Sequence, residues 1–350
     1  MKKQLKILNL IDIPWYSGIS DYAFSQSLAL RENGHIIYFG CDRESESYKK
    51  AAKEGYKTVE ITDRKKIITP ALIFKLAKFI KDEKIDIINA HTGRTQTLSY
   101  IVSRFKKVRI IRTKADAKDI KTSFIYKKLD LIICGSRYIE NFYLRKGIDK
   151  TKVIYKSIIP PAYCEISSKE PFIIGITARL DPVKGHIYFI KSAIKILNKN
   201  FNCAFYIAGK EANLKWKELS NEIPEVYRNK FIYFGHLENI FEFMKKCHIG
   251  VITSIDSEAV SRVALEWMAS ARLVISTDTG SLAEFIDNRF LVKPKDIHAL
   301  SQKIIENLDF EKIHSEGIRN LEKIKREISY EKFKEETLSS FETTSYKPHF

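Results

Sequence analysis

Two carboxylates, Glu258 and Glu266, stand eight positions apart in the stretch VITSIDSEAVSRVALEWMASARLVISTDTGSLAE, residues 251–284. At about 100° of helical twist per residue, eight positions end roughly 80° past two full turns, so the pair shares one side if the helix reaches back to Glu258. Glu266 sits between Leu265 and Trp267 on an otherwise apolar helix. A carboxylate in such a place needs a hydrogen-bonding partner, and a ligand hydroxyl would serve. A second set is cationic: Arg179 and Lys184, five positions apart in TARLDPVKG, residues 177–185. On a loop entering a helix they can neutralise a diphosphate with help from the helix's free N–H groups, which stabilises a leaving phosphate by cations alone. Each set has an ordinary alternative. Two glutamates at this spacing arise about twice by chance in a Glu-rich chain of this length, and an Arg/Lys turn is commonly just solvated surface.

The elements that would position these groups follow from the apolar pattern. Val251-Ile252-Thr253 reads as a buried parallel strand, Ser261 as the N-cap of a helix ending near Ala271, and Leu273-Val274-Ile275 as the next strand. That unit puts its polar groups at the strand's carboxyl end, where open α/β sheets bind ligands. Strand and helix alternate almost throughout. In the first half, strands are expected at 6–11, 36–39, 57–61, 85–88, 108–112, 131–134 and 153–159. Helices are expected at 20–33, 70–83 and from Ser136 to near Gly147. A polar, Pro-rich stretch at 158–171 reads as a linker. The pattern then restarts, with strands at 172–176, 204–208, 230–234, 248–253 and 290–292. Helices are expected at 186–197, 240–246 and 296–307, followed by two long charged helices to about Thr344. The expectation is an α/β chain of two doubly wound, Rossmann-like domains facing a cleft, residues 1–160 and 171–328, with a helix at about 329–344 packing back on the first.

Size agrees with two domains: 350 residues exceed what one core usually holds. The amino-terminal apolar run from Ile7 is broken by Asp12 and Pro14 and reads as a first strand, not a signal peptide. No stretch approaches the length of a membrane-spanning helix. Five scattered cysteines without a C-x-x-C pair read as thiols of a reducing compartment, so the expected location is cytoplasmic. The charge is lopsided: residues 1–165 carry a net +15 of the chain's +17. A lysine-heavy genome explains the abundance of lysine but not its concentration in one half. A basic face of this kind can meet nucleic acid, anionic lipid or an acidic substrate.

Taken together, Arg179 with Lys184-Gly185, Ala208-Gly209, Phe234-Gly235-His236-Leu237, Glu258 with Glu266, and Thr279-Gly280 with Glu284 resemble the carboxyl-terminal half of a family 4 glycosyltransferase of GT-B fold. The first half fits more loosely, through Gly18, Asn33-Gly34-His35, residues 86–91 and Arg112-Thr113. The resemblance implies a nucleotide-sugar donor held mainly by the second domain. Arg179 and Lys184 would take the diphosphate and Glu266 the ribose hydroxyls. Glu258 would take hydroxyls of the donor sugar. Backbone N–H groups of Ala259, Val260 and Ser261 would approach the sugar or phosphate, with Gly209 also on the donor side. Gly18 would let the first domain's loop come close to the phosphates. Enzymes of this kind are retaining and need no metal or other cofactor, and the sequence has no Asp-x-Asp motif. Asp181-Pro182 is a turn signal.

Three positions depart from the family pattern. Ala115 stands where a catalytic His is expected, so either Asp116 or His91 covers that role, His91 being as readily a satisfied structural histidine, or the site is inactive or differently arranged; Lys156-Ser157 replaces Asn-Gly; and Ser281 replaces a second Gly. Trp15 and Tyr16 beside Gly18 are candidates for contact with an acceptor or a membrane interface, or for ordinary loop packing.

The expected activity is therefore retaining, metal-independent, hexosyltransferase-like transfer of a sugar from a nucleoside diphosphate to a glycan or lipid-linked acceptor. Bacterial cell-surface polysaccharide or lipopolysaccharide assembly is the expected setting. The basic first domain would face the acceptor, peripherally on the inner membrane. The alternatives are a basic nucleic-acid-binding protein, which lacks recognisable motifs, and a GT-B-fold epimerase or phosphorylase, against which the Arg-Lys and Glu-Glu order argues. No G-x-G-x-x-G follows a strand, which disfavours a dinucleotide oxidoreductase.

Overall fold

Buried β-branched and aromatic runs punctuated by polar, capped helices build two parallel sheets in this computed structural model, which describes residues 3–61, 67–121, 123–166, 170–256 and 258–343. The chain divides into two compact units, residues 1–156 together with 331–350, and residues 157–330.

In unit 1 the first elements are β1 (Lys6–Ile11), α1 (Gly18–Glu32), β2 (Ile36–Cys41), α2 (Glu46–Lys53) and β3 (Lys57–Glu60). They continue through α3 (Pro70–Glu83), β4 (Ile87–Ala90), α4 (Gly93–Ser103), β5 (Arg109–Lys114), β6 (Leu131–Cys134), α5 (Arg137–Leu144) and β7 (Thr151–Val153). The strands line up in the order β3-β2-β1-β4-β5-β6-β7, so the winding reverses between β1 and β4. Helix starts follow the side-chain caps: Ser17, Ser45, Thr69, Thr92 and Ser136 each accept a first-turn N–H. Ser17 moves the start of α1 two residues ahead of the expected Ser20. The strand expected at 153–159 stops at Val153, and the chain from 154 to 166 has no regular structure.

Unit 2 runs through β8 (Phe172–Thr177), α6 (His186–Leu197), β9 (Cys203–Ala208), α7 (Trp216–Ser220), β10 (Phe231–Tyr233), α8 (Ile240–Met244) and β11 (Ile249–Ile252). After these come α9 (Arg262–Ala269), β12 (Leu273–Thr277), α10 (Leu282–Phe285), β13 (Leu291–Val292), α11 (Ile297–Ile305) and α12 (Phe310–Glu327). Its sheet order, β10-β9-β8-β11-β12-β13, repeats the plan of unit 1, with the reversal between β8 and β11. The last helix, α13 (Tyr330–Glu342), returns to unit 1. There Phe333 meets Tyr22 edge to face at 5.8 Å, and the Phe341 carbonyl accepts from Arg109 at 2.8 Å. The expected reach of this helix to Thr344 lies partly outside the described residues.

One rung of each sheet decides what sits above it. In unit 1, Asn9 of β1 is in register with Asn89 of β4. In unit 2, Gly175 of β8 is in register with Gly250 of β11. The space the two glycines leave is filled by Trp267 of α9, wholly buried, together with Cys247 against Gly175. A Cβ on Gly250 would lie 2.3 Å from Trp267 Cδ2, and one on Gly175 2.8 Å from its Cη2. Interiors packed this closely leave no slack, so the indole fixes α9 against the sheet and, with it, the neighbouring Glu266. Among the described residues no helix is long and apolar enough to cross a membrane, and all five cysteines are free thiols.

Candidate functional site

The carboxyl ends of β8 and β11 open into a pocket of about 240 Å³ lined by Thr177, Lys184, Ser254, Glu258, Arg262 and Glu266, among others. The loop leaving β8 is held by its own polar groups. Asp181 accepts from the Val183 N–H at 3.2 Å, from Asn213 Nδ2 at 2.8 Å, and from the Arg179 guanidinium at 3.3 Å. It therefore caps the 3₁₀ turn Pro182–Lys184, as its turn signal foretold. Gly185 follows in the left-handed region at φ +71°, and a Cβ there would stand 2.0 Å from the Thr253 carbonyl oxygen. Only glycine fits. Thr253 Oγ1 donates to the Lys184 carbonyl at 2.9 Å, and the Ile255 N–H donates to the Val183 carbonyl at 2.9 Å, which stitches the loop to the exit of β11. The helix that starts here, α6, has no side-chain cap, and its Tyr188 N–H donates to the Gly185 carbonyl, so its dipole and the His186 and Ile187 N–H groups face an incoming anion.

That stitching carries Lys184 Nζ to 2.5 Å from Glu258 Oε1, and Ser254 Oγ donates to the same oxygen at 2.6 Å. Glu258 is buried, and its backbone carbonyl accepts from the Ser281 N–H at 2.7 Å. Glu258 belongs to a loop, not to the start of α9: helical geometry begins at Arg262, after Ser261 at φ +46°. The shared side expected from helical twist is therefore not the cause of the pairing; the loop brings Glu258 to the same pocket as Glu266. Ser261 occupies the N-cap position but makes no side-chain cap. Its hydroxyl instead lies 2.8 Å from that of Ser281, both buried. The serine that departs from the family pattern at 281 thus has a partner.

Glu266 accepts from Arg262 Nε at 2.8 Å, across one helical turn. Its side chain is 12 % exposed, against 66 % for that of Arg262. The pocket thus gathers two cations and two carboxylates. A diphosphate arriving there would compete with Glu258 for the Lys184 ammonium, and hydroxyl-bearing groups would find acceptors in both glutamates. Arg179 does not line the pocket; its side chain is 61 % exposed and paired with Asp181. Ala259, Val260 and Ser261 link Glu258 to α9 without lining the pocket. Gly209 is explained locally: a Cβ there would lie 1.8 Å from the Ala178 carbonyl oxygen, so it lets the ends of β8 and β9 close together. Sequence reasoning missed Ser254 and Arg262. Each stands four residues from a glutamate already singled out, which was the available signal.

Unit 1 treats its polar groups differently. Asn89 Nδ2 donates to Asn9 Oδ1 at 3.0 Å, Asn9 Nδ2 to Ser27 Oγ at 3.0 Å, and Thr113 Oγ1 to Asn89 Oδ1 at 2.8 Å. His91 joins this network, with Nε2 3.0 Å from Asn9 Oδ1. It is wholly enclosed, and burial together with the nearby Arg112 charge pulls its pKa down to about 3. His91, the candidate for a catalytic role, is therefore interior within unit 1, its Nε2 engaged with Asn9. Asp116 is partly exposed and paired with the buried Lys114 at 2.8 Å. Ala115 is buried beside it. Gly18 opens α1, and no atom lies within 4 Å of where its Cβ would be, so nothing in unit 1 itself demands glycine there. Among the described residues no group of three or more His, Cys, Asp or Glu is placed to hold a metal ion.

Two Rossmann-like units, the second carrying a charged pocket at its strand ends, define a protein of the GT-B type. The family model described as Glycosyltransferase Family 4 matches residues 16–159, and that described as Glycosyl transferases group 1 matches residues 171–309. The chain belongs to family 4 of the glycosyltransferases and is an enzyme of that class. An uncharacterized glycosyltransferase of Methanocaldococcus jannaschii is 27% identical over 277 residues, which is 74% of this chain and 76% of the relative. A glycosyltransferase of Rickettsia africae superposes with a TM-score of 0.82 at 19% identity, covering 98% of this chain and 100% of the other. The Anabaena protein HepE, solved in complex with UDP and glucose, superposes with a TM-score of 0.76 at 15% identity, covering 97% and 100%.

Proposed function

We propose that this enzyme transfers a sugar, with retention, from a nucleoside diphosphate to a glycan or lipid-linked acceptor, and that the pocket of unit 2 is its donor site. The observation that carries the reading is the meeting of Lys184 with Glu258, and of Arg262 with Glu266, in one pocket beside the uncapped start of α6. Lys184, Arg179 and the α6 N-terminus take the diphosphate, Glu266 the ribose hydroxyls, and Glu258 with Ser254 the sugar hydroxyls. The acceptor oxygen attacks the anomeric carbon on the face the diphosphate leaves. The bond from that carbon to the phosphate oxygen breaks, its electron pair stays on the diphosphate, and the hydroxyl proton passes to the same group. Lys184 and Arg179 stabilise the departing charge without a metal. The fold-level likeness to a UDP-bound protein favours UDP as the nucleotide.

A phosphate-bearing, lipid-linked acceptor of the cell-surface polysaccharide or lipopolysaccharide kind suits the positive charge of the first half. It places the reaction peripherally on the cytoplasmic membrane surface. The test is a thermal-shift series with UDP, GDP, ADP and their sugar conjugates on wild type, Glu266→Ala and Lys184→Ala. One diphosphate should raise the midpoint in wild type, as a ligand at about 100 times its Kd adds about 2.7 kcal/mol, and both variants should lose the rise. No response to any nucleotide would overturn the donor-site assignment. With the donor known, the anomeric configuration of the product, read by NMR, checks retention.

A further inference from the structure

The end of β5 carries two buried cations. Arg112 and Lys114 alternate with Thr113 along the strand, so both lie on the face opposite the Thr113 network. Among the described residues Lys114 is the one buried lysine. The Arg112 guanidinium donates to the Ala90 and Thr113 carbonyls at 2.9 and 2.7 Å, and among the described residues no carboxylate pairs with it. The Lys114 ammonium lies 6.0 Å from the centre of the Phe142 ring on α5 and donates to Asp116 Oδ1 at 2.8 Å. Burial pulls the Lys114 pKa down, and Asp116 opposes that pull. Ala115, between the two, offers no polar side chain.

A pair of this kind does little for the fold. The loss of hydration of two charges offsets most of their attraction, and well-packed apolar residues serve stability as well or better. What the pair fixes is the aim of one carboxylate. Asp116 Oδ1 accepts from the ammonium and also from the Lys118 N–H at 3.0 Å, so the group is held from two sides. Its other oxygen, Oδ2, has no partner among the described residues. The Asp116 side chain is 28 % exposed, against 4 % for that of Lys114. The open oxygen stands just past the carboxyl end of β5, the edge at which open α/β sheets hold ligands. A guest there must donate a hydrogen bond. Two buried cations behind one carboxylate leave the place net positive, which repels a cationic guest and suits a neutral hydroxyl.

We infer that Asp116 binds a hydroxyl of the acceptor sugar, and that Lys114 is the positioning residue that aims it. This rests on the acceptor reading given above and names the acceptor's contact in unit 1.

Saturation-transfer NMR of the full chain tests it, with the methyl glycosides of glucose, galactose and N-acetylglucosamine as probes, each with and without UDP. Wild type should bind at least one glycoside, and UDP should not displace it. Asp116→Asn keeps an oxygen for the ammonium but puts an amide donor where Oδ2 stood, and should weaken that glycoside at least ten-fold. Lys114→Met, which touches no ligand, should weaken it at least five-fold. A double-mutant cycle separates aiming from a merely structural role: in the Asp116→Asn background, Lys114→Met should add less than two-fold. Lys57→Met, which breaks the exposed pair with Glu83 in the same unit, should leave binding within two-fold. Four results would each overturn the inference: no glycoside bound by wild type, displacement by UDP, binding unchanged in Asp116→Asn, or full multiplication of the two effects in the double variant. The UDP thermal shift is read on every variant and should persist, so failure of the donor site and failure of this contact give different results.

Discussion

The two sheets follow one winding plan and spend it differently at the same rung. In unit 1 the register pair Asn9 and Asn89 feeds a buried polar network that takes in Gln26, Thr113 and His91, leaving only His91 Nδ1 and Gln26 Nε2 of these side chains without a partner. In unit 2 the corresponding pair is Gly175 and Gly250, which carry no polar groups and admit Trp267 from above. The polar groups of unit 2 are displaced outward to the strand ends, where Lys184, Glu258, Arg262 and Glu266 line an open pocket. Hydrogen-bonding capacity placed inside a sheet specifies that sheet; the same capacity placed at its rim remains available to a ligand.

The severest way to break this contrast is to put a side chain on the glycine rung. Gly250→Ala should cost about 3 kcal/mol through overpacking against Trp267 and should abolish the donor-induced thermal shift, because α9 moves. Chemical denaturation and the UDP thermal shift read the two effects. On the other side, Asn89→Ala should cost about 2 kcal/mol by removing the buried hydrogen bonds that Asn89 makes to Asn9, Gln26 and Thr113. It should leave the UDP shift intact, and a lost shift would mean that the two units are not independent in this respect.

Proton linkage sharpens the comparison further. His91 in the unfolded chain protonates near its ordinary value of about 6.5, but in the folded chain only near 3. Below 6.5 the unfolded state therefore holds the extra proton, and stability falls as pH falls, at a slope approaching about 1.4 kcal/mol per pH unit. His186 in unit 2, lowered to about 4 by burial, acts in the same direction. Between pH 7 and 5 the denaturation free energy of His91→Asn should decline about 2 kcal/mol less than that of wild type. The smallest effect on stability belongs to Arg179→Ala, under about 0.5 kcal/mol because its guanidinium is mostly exposed beside Asp181, while titration calorimetry should show UDP affinity falling several-fold.

Much of the fold was legible because its strands are short apolar runs and its helix starts carry turn or cap residues; α3, capped by Thr69, and α6, which follows the Gly185 turn, fall at their expected residues. Helix α4 was not, because its buried face includes Thr95, Gln96 and Ser99, which hydrophobic periodicity does not register. The strand expected at 153–159 failed for the converse reason: an apolar run there continues past the last residue that has a pairing partner. In the site, residue types were legible and contacts were not. Lys184 and Glu258 are 74 positions apart and meet only because Gly185 accepts a conformation that brings it against Thr253. Glu258 and Glu266 were paired in the sequence reading by helical phase, whereas the left-handed Ser261 starts the helix too late for phase to matter.

The return of α13 to unit 1 sets an order of assembly during synthesis. Unit 2 is one uninterrupted length of chain and has all its parts once residue 330 is made. Unit 1 begins first but lacks Phe333 and Phe341, both buried in it, until the final helix arrives. In the usual sequence the amino-terminal domain has all its chain before the next one is made; here the amino-terminal unit is completed only by chain that follows the whole of unit 2.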